Sequence, residues 1–292
     1  MHRRTLGLTL GCALSAFANA AAAANPAFAA PSGFQGAGLG MGDQRVRAWT
    51  EATFYTQEAV TTAAATFGAG YRVSDSLELE ALLPIAYSSL KTLYTDDSAG
   101  GVRSEREDAL AVGNPYLGIG RVHLEGTLRY KAGLGVTLPI GTDEYPDAAA
   151  GAVTAATYGL QDLHLWYPHA MALAAPLRIE IGDPVVLGVD AMPVLFLFTS
   201  DVVSKDTEFF VQVAPGAGVY ATDELLVGAR LPVACSGDIG DGAQVALEPY
   251  ARFDVGGGFL NARFTVNLDE TLGFAFDTGK YWGAHLGGGL VF

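Results

Sequence analysis

Charged residues stand at alternate positions in several parts of the sequence. Glu78 and Glu80 form one such pair, and Arg129 and Lys131 form another. Successive side chains of a β-strand point to opposite sides of the sheet, so residues two apart share a face. If these faces line an enclosed space, charges of both signs there either select a solute by its charge pattern or neutralise each other as ion pairs. The sequence leaves both interpretations open.

The same parity assigns further charged residues to the predicted inner face. Acidic and basic residues are both present. Cys235 has no His or Cys neighbour in the sequence and the acidic loops have no spaced calcium motif, so we expect no metal ion, and we expect no cofactor. We take the following residues as candidates for lining the interior: Glu51, Glu78, Glu80, Arg129, Lys131, Asp190, Arg230, Glu248, Arg252, Asp254 and Arg263.

Catalysis is the alternative chemistry. His164 follows Asp162 by two residues on the inferred inner face, and a hydrolytic triad would need a serine on a neighbouring strand within hydrogen-bond reach. Most serines fall in predicted loops or turns, and the sequence has no G-x-S-x-G motif. His169 suggests a lipid hydrolase, but it follows Pro168 and fits a membrane interface equally well. We therefore expect no catalytic residues and no enzyme activity.

Alternation of apolar and polar residues predicts the strands that position these groups. Leu77, Leu79 and Leu83, for example, oppose Glu78 and Glu80. Similar segments recur to the end of the chain and give about twelve strands of roughly ten residues or more, the length that crosses a bilayer at a tilt. No helical stretch is predicted.

The connections between the predicted strands alternate in length. Those after odd-numbered strands are mostly long, as at 88–108 and 141–156, and those after even-numbered strands are mostly short, with 174–184 as the exception. Short turns at one end and long loops at the other are typical of outer-membrane barrels. We predict an all-β fold, a transmembrane up-and-down antiparallel β-barrel of about 12 strands. In it, 163–173 is a strand whose inner side carries Asp162, His164 and Trp166.

Composition agrees with this class and excludes others. Half of the residues are hydrophobic and 37 are glycine, but only the start of the chain contains a long apolar run. The formal net charge of −14 argues against a nucleic-acid partner, which requires a basic surface. Of the two cysteines, Cys12 lies in the apolar run at the start, so Cys235 has no partner for an internal disulfide.

The N-terminus has the features of a targeting signal. Arg3 and Arg4 precede an apolar run over Thr5–Phe17, and small residues at Ala18 and Ala20 fit a cleavage site. We predict a cleaved export signal over residues 1–24, a flexible mature N-terminus over 25–44 and the barrel over 45–292.

The last strand carries a terminal motif. His285, Gly287, Leu290 and Phe292 occupy the polar, glycine, apolar and aromatic positions of a signal that resembles the assembly signal of Gram-negative outer-membrane β-barrels. This resemblance implies insertion by the barrel-assembly machinery, with outer-membrane lipid and lipopolysaccharide as surroundings.

A looser resemblance lies within the barrel. Residues 82–87, 113–118 and 136–143 resemble segments of a transporter-like family associated with phenol meta-pathway degradation. These segments are structural, and the resemblance implies a transport role without assigning a binding residue.

These features together predict a barrel in the bacterial outer membrane that acts as a narrow channel or transporter for a small-molecule solute. We favour a narrow or partly plugged interior over an open one, because about twelve strands lie between a filled barrel and a wide pore. The alternatives are a structural or adhesive surface barrel and a membrane lipid-modifying enzyme.

Overall fold

A computed structural model describes residues 46–57, 59–96, 101–123, 127–199, 206–236, 243–268 and 281–292. The predicted export signal (1–24) and the predicted flexible N-terminus (25–44) lie outside the described residues, as does the predicted loop at 269–280. In the part of the chain that is described, no helix is long and apolar enough to cross a membrane.

The described residues form fifteen β-segments and two helices. In chain order the segments are β1 (Val46–Thr56), β2 (Val60–Ser74), β3 (Leu77–Asp96), β4 (Gly101–Val112), β5 (Tyr116–His123), β6 (Leu128–Thr137), β7 (Ala170–Ala174), β8 (Leu177–Ile181), β9 (Val185–Phe198), β10 (Thr207–Tyr220), β11 (Leu225–Arg230), β12 (Val233–Ser236), β13 (Ala243–Asp254), β14 (Gly258–Asn267) and β15 (Trp282–Val291), with helices α1 (Asp147–Thr157) and α2 (Leu163–Trp166) between β6 and β7.

The segments form one closed barrel of twelve antiparallel strands. Three strands are each interrupted once, so that β4 with β5, β7 with β8 and β11 with β12 each count as one. The two parts of each pair share a neighbour, since β4 and β5 both pair with β3. Closure comes from β1, which pairs with β2 on one side and with β15 on the other. The predicted fold class is confirmed.

Side chains alternate between the interior and the outer surface as the strand period requires. Along β1, Arg47, Glu51 and Thr53 are buried, whereas Phe54 is exposed. The exposed surface carries many large apolar side chains, including Phe292, which is 62% exposed. An apolar outer band suits lipid, where an outward Arg or Lys costs about 2–4 kcal/mol at the bilayer midplane.

The prediction that the chain has no helix is wrong. Residues 138–169, which we call the infolded segment, connect β6 to β7 and contain both α1 and α2. The alanine-rich sequence of α1 has high helix propensity, and alanine also fits a crowded interior. The predicted strand at 163–173 begins only at Ala170. In its first part, His164, Leu165 and Trp166 are all buried inside the barrel, so no face of this stretch is turned to lipid and the alternation of polarity does not produce a strand.

Two predicted connections are also wrong. The predicted loop at 88–108 is mostly a hairpin, because β3 continues to Asp96 and β4 begins at Gly101. The predicted connection at 174–184 contains β8, which leaves only a short turn at 182–184. Pro176 lacks the N–H that would continue the ladder, which explains the interruption between β7 and β8.

The infolded segment also completes the barrel wall. β6 ends at Thr137, while β4 continues towards the loops and pairs only with β3 among the described strands. The Leu110 N–H donates to Oδ1 of Asp147, and the Val112 N–H donates to the Thr142 hydroxyl, both at 2.9 Å. The edge of β4 is therefore covered by the segment that enters the interior.

Candidate functional site: the barrel interior

Buried charged side chains form a belt around the inner wall, which we call the charged girdle. It includes residues from both halves of the barrel, and its acidic and basic members contact one another. The members are Arg47, Glu51, Glu78, Glu80, Arg129, Lys131, Arg178, Glu180, Asp190, Arg230, Glu248 and Arg263, of which only Asp190 is partly exposed.

The first part of the girdle is a four-residue cluster on β1, β3 and β6. Arg47 contacts Glu78 and lies 3.2 Å from Glu80. Lys131 Nζ lies 2.9 Å from Glu78 and also contacts Glu80. Each carboxylate therefore meets two cations, and each cation meets two carboxylates, so the cluster has no net charge.

The second part continues across β6, β8 and β9. Arg129 lies 3.8 Å from Glu180, and Arg178 Nε donates to Glu180 at 2.8 Å. Arg178 also lies 3.6 Å from Asp190, whose other oxygen accepts a hydrogen bond of 2.8 Å from Arg230. Acidic and basic groups again alternate along the wall.

The third part returns to β1. Arg230 Nε donates to Glu248, and Nη1 of Arg263 donates to the same carboxylate at 2.9 Å. Arg263 also contacts Glu51, with Nε 3.2 Å from Oε2. Glu51 and Arg47 both lie on the inner face of β1, so the girdle begins and ends on the same strand. Burial of these charges is compatible with folding since each is paired and hydrogen-bonded.

The structure brings most of the predicted lining residues into this girdle. Arg252 and Asp254 are the exceptions. They pair with each other at 2.6 Å, and the Arg252 guanidinium lies 5.2 Å from the ring of Phe259. Arg178 and Glu180 were missed, because they fall in the stretch predicted as a connection. Their signal was the alternation of Leu177, Ile179 and Ile181 with these charges, followed by a Gly-Asp-Pro turn.

The tip of the infolded segment rests on the girdle. Gly159 and Leu160 both have left-handed backbone conformations, with φ of 63° and 61°, and they turn the chain below α1. The amide oxygen of Gln161 accepts a hydrogen bond of 2.7 Å from Arg230. The Arg263 guanidinium lies 5.0 Å from the ring centroid of Tyr158. The tip therefore covers the girdle from the loop side.

Side chains of the wall hold this segment by donating to its carbonyl groups. Asn267 Nδ2 donates to the Ala156 carbonyl at 2.7 Å, and Gln212 Nε2 donates to the Leu160 carbonyl. Asn114 donates to the Tyr167 carbonyl at 2.8 Å. Loss of any one of these contacts would leave a buried polar group without its partner.

Asp162 lies inside the barrel, although not on a strand as predicted. It is 2% exposed, and its Oδ1 accepts no hydrogen bond within the described residues. Burial, with a smaller contribution from Glu51, raises the pKa of this carboxyl to about 7, although Arg263 opposes the shift. The surroundings of the tip therefore disfavour an additional negative charge.

The two histidines considered for catalysis, His164 and His169, lie in different surroundings. Burial lowers the pKa of His164 to about 3, so its ring is neutral, and the ring packs edge-on to Tyr116 at 5.8 Å. His169 lies 3.3 Å from Asp143. The described residues contain no cluster of three or more His, Cys, Asp or Glu side chains that could hold a metal ion.

Cavities adjoin the girdle on the inner wall. One of about 20 Å³ is lined by girdle residues, including Arg178 and Asp190, together with Tyr250. Another of about 10 Å³ is lined by Glu78, Lys131 and Tyr116, with glycines that leave room for the Tyr116 ring. Each cavity has the size of about one water molecule, so the infolded segment and the girdle side chains fill most of the interior.

The terminal motif divides between the two faces of β15. His285 points inward and hydrogen-bonds Thr53 at 2.9 Å, and Gly287 faces inward against Asn261. Phe292 and Leu290 face outward, and the Phe292 N–H donates to the Val46 carbonyl at 2.7 Å. The closing strand is therefore paired up to its last residue.

These features define the chain as a closed β-barrel of the outer-membrane type with a plugged, charge-lined interior. Among solved structures, it is similar to an outer-membrane channel from Pseudomonas putida F1, with 13% identity over 91% of this chain and 100% of that chain and a TM-score of 0.61. No protein-family profile matches the sequence. No curated protein sequence matches it either.

More distant structural similarities extend to other barrels. The KdgM porin gives a TM-score of 0.43 with 6% identity over 84% of this chain and 99% of that chain. The β domain of the Bordetella autotransporter BrkA gives 0.45 with 13% identity over 85% of this chain and 100% of that chain. At these identities the similarity shows the fold alone. The predicted resemblance to outer-membrane barrels is confirmed, and the link to phenol degradation stays a prediction.

Proposed function

We propose that this protein is an outer-membrane channel or transporter for small molecules, and that the infolded segment closes its interior. The observation that carries the proposal is the position of residues 158–162 over the charged girdle. The segment belongs to one connection, between β6 and β7, and contributes no strand to the barrel. Residues 148–161 can therefore withdraw while the twelve strands stay paired and while Thr142 and Asp147 keep their contacts to β4.

The location and partners belong to the same proposal. The apolar outer surface supports contact with the lipid and lipopolysaccharide of a bacterial outer membrane. The outward position of Phe292 at the end of β15 supports its role in a signal for the barrel-assembly machinery. The proposal includes no reaction, and the low basicity of the buried His164 ring supports this part of it.

A disulfide tether tests the proposal. A Cβ atom at Gly151 on α1 would lie 3.9 Å from the Cβ of Ala111 on β4, within the range of disulfides. Gly151→Cys with Ala111→Cys, in a Cys235→Ser background, should therefore fix the segment inside when oxidised. Conductance across planar bilayers should be lower for the oxidised protein and should rise when dithiothreitol is added.

A control pair separates tethering from oxidation itself. Thr56 and Thr61 are cross-strand partners with hydroxyl oxygens 2.9 Å apart, and neither belongs to the infolded segment. Thr56→Cys with Thr61→Cys should conduct equally before and after reduction. Deletion of residues 148–161 should give a larger conductance than either pair. A barrel that stays sealed after this deletion would contradict the channel proposal.

One observation favours a second candidate, a surface adhesion barrel. β2 begins at Val60, which pairs with Leu90, whereas β3 continues to Asp96. The hairpin of β3 and β4 therefore extends about 20 Å past the start of β2, at roughly 3.4 Å per residue. Removal of residues 91–106 should abolish cell-surface attachment and leave conductance unchanged if this second candidate is correct.

A further inference from the structure

The groups that hold the infolded segment in the interior share one chemistry. Asn114, Gln212 and Asn267 each donate an amide N–H to a backbone carbonyl, and Arg230 donates to the amide oxygen of Gln161. The wall thus supplies the donors, and the segment supplies uncharged oxygen acceptors. If the segment withdraws, these donors face the open interior and need new acceptors.

The part of the segment that meets Gln212, Asn267 and Arg230 is itself uncharged. Residues 148–161 contain no Asp, Glu, Lys, Arg or His, and they are mostly small or apolar. The first ionisable side chain after them is Asp162, whose carboxyl is buried and whose Oδ1 accepts no hydrogen bond from the residues that the structure describes. The interior therefore accommodates a neutral occupant that bears carbonyl-type oxygens.

The girdle explains why a charged occupant is disfavoured. Arg263 is already shared by Glu51 and Glu248, and Arg230 is shared by Glu248 and Asp190. An added anion would lie near carboxylates, and the arginines that could attract it are already paired with those carboxylates. An added cation would lie near arginines, and the carboxylates that could attract it are already paired with those arginines. Two like charges 4 Å apart repel by about 4 kcal/mol at an effective dielectric constant of 20.

We infer that the infolded segment occupies the place of the transported solute, and that this solute is a small neutral molecule with two or more carbonyl or amide oxygens. The inference rests on the proposed channel function. During passage the solute accepts from the donors that the segment releases, among them Gln212 and Asn267. A solute without such oxygens leaves these donors unsatisfied and passes more slowly.

Liposome swelling with three solutes of similar size tests the inference. N-acetylglycinamide is neutral and has two amide oxygens, N-acetylglycine is an anion at neutral pH, and N-acetylethylenediamine carries a protonated amine. In the reduced Gly151→Cys, Ala111→Cys protein, the neutral diamide should enter several-fold faster than either charged solute. Equal rates for all three would overturn the inference and leave the channel function standing.

Variants of the donors provide the sharper test. Gln212→Leu and Asn267→Leu each remove a donor and one contact to the segment, so overall flux should rise. The preference for the diamide over the charged solutes should nevertheless fall by about fivefold, which corresponds to about 1 kcal/mol for one hydrogen bond. If flux rises and the preference is unchanged, the donors only hold the segment, and the inference fails.

Thr62→Val is the matched control. Thr62 is buried on the inner face of β2, where its hydroxyl lies 2.7 Å from that of Ser88. Both flux and preference should match those of the unaltered barrel. Absence of swelling with every solute, even after residues 148–161 are deleted, would instead contradict the channel function itself.

Discussion

Replacement of Arg263 by methionine measures how dry the interior is. Arg263 joins two buried carboxylates, since it contacts Glu51 and donates to Glu248 at 2.9 Å. In a water-filled pore, such pairs contribute about 0–1 kcal/mol each. In a closed interior, removal of one partner of a buried pair costs about 3–5 kcal/mol, because it leaves a buried charge uncompensated. Since all three side chains are at most 1% exposed, we expect the larger cost.

Urea unfolding of the purified barrel in detergent, followed by tryptophan fluorescence, provides the measurement. Glu51→Gln combined with Arg263→Met should recover part of the loss, because the uncompensated carboxylate is then absent. Arg252→Met is the control, since its partner Asp254 is 17% exposed at the side chain and should tolerate the loss better. A cost below about 1 kcal/mol for Arg263→Met would show that water screens the girdle and would refute the closed interior.

Three further predictions concern the infolded segment, the closing strand and the wall. The pKa of Asp162 is raised to about 7 when the segment is docked. Docking is therefore strongest below about pH 4, where the carboxyl is protonated in both states, and it weakens as pH rises through 7. In bilayer recordings, channel opening should increase from pH 5 to 8, and Asp162→Asn should abolish that dependence. Phe292→Asn should reduce the heat-modifiable, folded fraction in outer membranes, whereas Tyr145→Asn at the loop end should not; normal insertion of the first variant would contradict the assembly role. Gly135→Val should collide with the ring of Tyr116 and lower the unfolding free energy by about 1–3 kcal/mol, and an unchanged urea midpoint would show that the ring can move aside.

The strands could be predicted from sequence because two different solvents act on their two faces. Lipid excludes charge from one side and the interior tolerates it on the other, so residues such as Glu51 and Arg263 stand out at a period of two. The same argument fails for residues 147–166, which lie inside the barrel wall, where neither face meets lipid. The sequence alternation of Asp162, His164 and Trp166 fits a strand there, but the segment folds into helix and turn.

The plugged interior could be anticipated only in general terms. A barrel of this size has room for one connection to fold inward, yet the sequence of 141–156 resembles an exposed loop as much as an internal segment. The donors Gln212 and Asn267 lie on predicted inner faces, but their partners are backbone carbonyls. Every residue has such a carbonyl, so the sequence does not indicate which one accepts the hydrogen bond. Arg178 and Glu180 were obscured by Pro176, since a proline normally ends a strand pattern.

The most direct test of the account is the single-channel conductance of one tethered barrel before and after reduction in the same bilayer. With Gly151→Cys bonded to Ala111→Cys, the infolded segment stays over the girdle, and the account predicts a closed or barely conducting state. Addition of dithiothreitol should produce discrete openings. Identical conductance with the disulfide intact and reduced would show that residues 138–169 do not close the path, and would contradict the central claim.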